Sequence, residues 1–79
     1  MSTQKLVNIK LSDFEKFLRA IGCEPMSIKG GHAKWWKDGL TRPIVYQTHK
    51  DTVPVQVVKS ILLDLKMTPK QYFDIIDNL

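Results

Sequence analysis

The stretch EPMSIKGGHAKWWKDGLTRPIVYQT, residues 24–48, decides the fold. It holds three short runs, EPMSIK, HAKWWK and RPIVYQT, separated by Gly30-Gly31 and by Asp38-Gly39. Both dipeptides supply residues that accept positive φ at little cost, which suits tight hairpin turns. The spacing therefore predicts three antiparallel strands. Side chains alternate across a strand, so Met26 and Ile28, Ala33 and Trp35, and Ile44 and Tyr46 are expected on one apolar face. His32, Lys34 and Trp36 share the opposite parity and are expected to project together from the open face. Pro43 cannot donate within a ladder and marks the start of its strand.

Working outward, the periodicity changes from two to that of a helix. Before the strands, Ser12 and Glu15 read as a capping box, Phe14, Phe17, Leu18 and Ile21 recur at helical spacing, and Gly22 is placed to end the helix. After them, Pro54 opens a second helix with Val55, Val58, Ile61, Leu62 and Leu65 as its apolar stripe. Thr68 and Gln71 form another capping box with Pro69 at the first helical position, followed by Tyr72, Phe73, Ile75 and Ile76. The expectation is an α+β fold: a three-stranded antiparallel sheet with helices on one face, in the order α-β-β-β-α(-α). Residues 1–79 read as a single domain, with 1–9 a frayed terminus.

Charge is distributed unevenly. Of the net +4, all resides between Lys29 and Lys50, where Lys29, Lys34, Lys37, Arg42 and Lys50 face only Asp38. A basic stripe on one element is the electrostatic footprint of a surface that meets polyanions. No apolar run approaches the roughly 18 residues of a membrane span, and the N-terminus lacks the pattern of a secretory signal, so the expected location is cytoplasmic. The single cysteine, Cys23, is excluded from an internal disulfide and reads as a small buried residue. A domain of this size has a marginal core, which makes a stable protein partner physically attractive.

On the open face, Trp36 offers a stacking surface for an unpaired base, Lys34 a cation for a phosphate, and His32 a group whose charge changes near neutral pH. The paired glycines before His32 remove bulk, so that a backbone can approach it.

The segment KGGHAKW resembles the glycine, small residue, histidine, variable residue, lysine, aromatic motif of the HicA toxin family, small bacterial messenger-RNA endonucleases of type II toxin–antitoxin pairs. FLRAIGCE resembles that family's first helix and its glycine end, RPIVYQTH its third strand and following histidine, and VVKSILLDLKMTPKQYF its helical C-terminal region. The chain departs from the pattern at Gly31, Ala33 and Gln47, where serine or threonine, a second histidine, and proline are common. The resemblance implies a fold like that of double-stranded-RNA-binding domains, catalysis by the motif histidine, here His32, and neutralisation by a HicB antitoxin.

RNA carries its own nucleophile, so a nuclease need only take the 2′-hydroxyl proton, protonate the leaving 5′-oxygen and stabilise charge on the phosphoryl oxygens. The sequence has no cluster of residues at metal-ligand spacing, and the expectation is a metal-independent, cofactor-free endoribonuclease with His32 as general acid or base. RNA contacts are expected at Lys29, Gly31, Lys34, Trp36, Lys37, Arg42, His49 and Lys50. His49 reads either as a complementary acid or as a polar loop residue. Two other readings stay open: a non-catalytic RNA-binding module, and a protein-interaction domain using the basic sheet face.

Overall fold

In the computed structural model, which describes residues 5–79, Gly30 and Gly31 both adopt positive φ, 63° and 80°. Two successive left-handed residues make the turn that matches the twist of the flanking strands. They join β2 (Glu24–Lys29) to β3 (His32–Trp36), and β4 (Ile44–Gln47) lies along the other edge of β3. The central sheet is antiparallel in the order β2-β3-β4, as the turn spacing predicts.

The remaining elements are β1 (Ile9–Lys10), α1 (Leu11–Ala20), β5 (Thr52–Val53), α2 (Val55–Asp64) and α3 (Pro69–Ile76). The strand β1 pairs antiparallel with β5, a two-stranded sheet that the sequence reading does not contain. It draws residues expected to be frayed into the structure: Leu6 and Ile9 pack against the core, and the Asn8 side-chain oxygen accepts the Val55 amide at 2.9 Å. That bond satisfies one of the unpaired N–H groups at the start of α2.

Alternation on β3 and β4 holds. Ala33, Trp35, Ile44 and Tyr46 are buried, while His32, Lys34, Trp36, Val45 and Gln47 are exposed. On β2 the expectation for Met26 fails. The register slips between Pro25 and Ser27, Met26 becomes the extra bulge residue, and its side chain is 56% exposed. The Ile28 side chain lies outside the described residues. The link between β3 and β4 is also longer than a tight hairpin. Asp38-Gly39 makes its turn, with the Leu40 amide bonded to the Lys37 carbonyl at 3.1 Å, but β4 starts only after Pro43.

The capping box expected at Ser12 and Glu15 is absent. Helix α1 begins two residues earlier, with Lys10 in the cap position and no side-chain cap, so Ser12 falls inside the first turn. The tertiary structure sets this start, because the Asp51 carbonyl takes the Leu11 amide at 2.9 Å. The helix ends as expected at Gly22, with Gly22 N–H bonded to the Arg19 carbonyl and Cys23 N–H to the Leu18 carbonyl. The Thr68–Gln71 box is complete, both reciprocal bonds being present.

One apolar core joins the inner sheet face to all three helices through Phe14, Phe17, Leu18, Val58, Ile61, Leu62 and Tyr72. Phe14 meets Tyr46 edge to face at 5.3 Å, and Phe17 meets Tyr72 at 4.6 Å. The two buried tyrosines differ in one respect. Tyr46 accepts the indole N–H of Trp35 at 2.9 Å, whereas the Tyr72 hydroxyl has no partner among the described residues. Burial pushes both phenols up to about 12. Tyr72→Phe is therefore expected to stabilise the fold by about 1 kcal/mol, by removing an unpaired buried hydroxyl. Tyr46→Phe is expected to cost about 1 to 3 kcal/mol, because it strands the Trp35 N–H. Denaturant midpoints check this, and shifts of the same sign for both variants would refute it.

Candidate active site

The turn that closes β2 onto β3 also builds the site. Lys29 and His32 face each other across it, and His32 is directly opposite Gln47 on β4. Directly opposed residues hold their Cβ atoms about 4.5 to 5.5 Å apart, so Gln47, like Lys29, is an immediate cross-strand neighbour of His32. Sequence reading missed Gln47 as a site residue. Its signal was the register, which depends on loop lengths as well as on pattern.

The His32 ring is held from its own turn, with Nδ1 3.2 Å from the Gly30 carbonyl oxygen. A carbonyl only accepts, so Nδ1 carries the proton and donates it. In the neutral ring Nε2 is then unprotonated, on an exposed side chain. A group with that arrangement can accept a proton from a bound hydroxyl.

Gly31 is adjacent, and two facts require glycine there. Its φ of 80° is left-handed, and a Cβ at this position would lie 3.2 Å from Nδ1 of His49. The Thr48 amide donates to the Gly31 carbonyl at 2.6 Å, which ties the segment after β4 to the turn. The bulk that Gly31 leaves out is therefore occupied by the His49 ring. A Cβ on Gly30, by contrast, would meet nothing within 4 Å.

The other expected residues form a row along the face. Lys34 projects from the middle of β3, opposite Val45, and Trp36 stands at the far end, opposite Glu24. The step from His32 to Trp36 spans roughly 13 Å at the rise of a strand. The open face is thus an extended track, longer than the small cluster that parity suggested. Lys37 follows at that far end and is half-buried. It lies near enough to the buried Cys23 thiol to oppose the upward shift that burial gives it. Arg42 points elsewhere, with its guanidinium on the Asp64 carboxylate of α2 at 3.1 and 3.3 Å. Lys29, His49 and Lys50 are exposed at the His32 end.

Among the described residues no three of His, Cys, Asp and Glu converge as a metal-ligand set, and no helix is long and apolar enough to cross a membrane. These features define a class: a small α+β protein with helices behind a three-stranded sheet and a basic open face ending in a paired-glycine turn and histidine. The model of the family described as HicA toxin of bacterial toxin–antitoxin matches residues 11–67, and the chain belongs to that family. It is a toxin of the toxin–antitoxin type, which implies a cognate antitoxin. No curated protein and no solved structure matches the chain.

Proposed function

We propose that the protein is an endoribonuclease that cleaves messenger RNA, with His32 taking the proton of the RNA's own 2′-hydroxyl. One observation carries this reading: the Gly30 carbonyl holds Nδ1–H of His32 and leaves Nε2 free as a base on an exposed strand position. Lys29, Lys34 and Lys50 supply positive charge for the phosphates that flank the cleaved bond. Trp36 would stack on a base displaced along the track, and Lys37 would hold the phosphate beside it. Arg42 is paired with Asp64 through one guanidinium nitrogen, and a phosphate would compete with that surface ion pair.

The chemistry calls for no metal. The 2′-oxygen attacks phosphorus as the bond to the 5′-oxygen breaks, leaving a 2′,3′-cyclic phosphate and a 5′-hydroxyl. The test is an RNA oligonucleotide incubated with the purified protein in chelator, beside the same sequence with 2′-O-methyl groups throughout. Cleavage of the RNA alone, with cyclic phosphate ends, is expected. Cutting of the methylated strand, or loss of activity in chelator, would overturn the route.

A HicB-type antitoxin is proposed to neutralise the toxin by covering this face. The face is suited to a protein as well as to RNA, because Val45 and Trp36 remain 46% and 36% exposed beside the lysines. An acidic surface with an apolar centre would complement it. The same two exposed side chains favour the second reading, a non-catalytic binding module. That reading requires His32→Ala to leave every activity unchanged.

A further inference from the structure

The turn at Gly30-Gly31 brings a second imidazole to the site. His49 comes from the segment after β4, and its ring lies against Gly31, the residue next to His32. The segment is tied there by the 2.6 Å bond from Thr48 N–H to the Gly31 carbonyl. The side chain is exposed, and among the described residues nothing hydrogen-bonds either of its ring nitrogens. The two rings differ in their bonding: His32 donates Nδ1–H to a carbonyl, while His49 keeps both nitrogens available for solvent or a ligand.

We propose that His49 is the second proton-transfer group of this site, giving a proton to the departing 5′-oxygen while His32 takes the proton of the 2′-hydroxyl. The inference rests on the endoribonuclease reading and extends it by one residue and one role. Strand cleavage needs both transfers, and His32 with Nε2 unprotonated can perform only the first at the start of the reaction. The step balances. The 2′-oxygen forms its bond to phosphorus and loses its proton to His32 Nε2. The bond from phosphorus to the 5′-oxygen breaks, and the imidazolium of His49 protonates that oxygen. His32 ends protonated and His49 neutral, and exchange with water restores both.

Gly31 acquires a reason in this arrangement. A Cβ at that position would lie 3.2 Å from His49 Nδ1, so the ring would have to give by a few tenths of an ångström. Lys29 and Lys50 flank the pair in sequence and are exposed, which puts positive charge near a phosphate bound there.

The experiment uses an RNA oligonucleotide mapped as a substrate of the wild type, and the same oligonucleotide with sulfur replacing the leaving 5′-oxygen at the cut site. A thiolate leaves without being protonated, so the modified strand does not need the acid. His49→Gln is expected to cut the ordinary strand about 100-fold or more slowly than wild type, within the range general acid help contributes. It should cut the sulfur strand within a few-fold of the wild type. His32→Ala is expected to be slow on both strands. Equal cleavage of the ordinary strand by His49→Gln and wild type would overturn the role of His49. So would a defect that sulfur does not relieve, since it would mark a binding or structural contact. A wild type for which no RNA substrate can be mapped would instead remove the endoribonuclease reading beneath it.

Discussion

His32→Ala is expected to lower the rate of RNA cleavage by about 100- to 10,000-fold, the usual contribution of one positioned acid or base. Growth arrest on induction should disappear with it. The fold should not change, because the side chain is exposed and its one hydrogen bond is to its own turn. Strand pairing through His32 and Gln47 is made by backbone, which alanine retains. Thermal melting of the variant close to wild type, with RNA affinity retained at low salt, would separate lost chemistry from lost binding. Undiminished cleavage by the variant would remove His32 from the mechanism and leave the basic face as a binding surface.

The two adjacent tryptophans should give opposite outcomes. Trp35→Ala removes a fully buried ring, and a change of that kind costs about 3 to 5 kcal/mol. It also takes the donor from Tyr46 and the ring beneath Arg19, whose guanidinium carbon lies 5.3 Å from the Trp35 centroid. For a chain of this length total stability is about 4 to 12 kcal/mol, so this variant is expected to lose a large share of it and to melt well below wild type. Trp36→Ala, on the open face, should stay within about 0.5 kcal/mol of wild type. Its effect is expected in RNA affinity, at about 1 to 3 kcal/mol per stacked base. Urea denaturation and binding titrations on the pair decide this, and a Trp36→Ala protein that unfolds as Trp35→Ala does would show the strand parity to be wrong.

That parity was legible because the inner face of β3 and β4 is buried over its whole length. A one-residue slip would have put Trp35 in water and His32 in the core, so the pattern carries its own check. The paired glycines, the Gly22 helix end and the Thr68–Gln71 box were legible for a related reason, since each depends on neighbours within a few residues. Met26 was misread because a bulge changes the parity of a strand without leaving a mark in residue type. The Ser12–Glu15 box failed because Asp51, far along the chain, supplied the first helical amide with an acceptor.

The site divides in the same way. His32, Lys34 and Trp36 belong to one strand, and alternation alone places them on one face. Gln47 comes opposite His32, and His49 against Gly31, only through the pairing of β4 with β3, and Arg42 is drawn to Asp64 on α2. By itself the sequence determined the order of the three helices and the three central strands, the buried face of β3 and β4 and the local position of the positive charge, all of which follow from short-range pattern. Only the tertiary structure decided that β1 joins β5, that Arg42 turns to α2 and that His49 rests on Gly31. Each of these joins segments distant in the chain, and their positions depend on how the core closes.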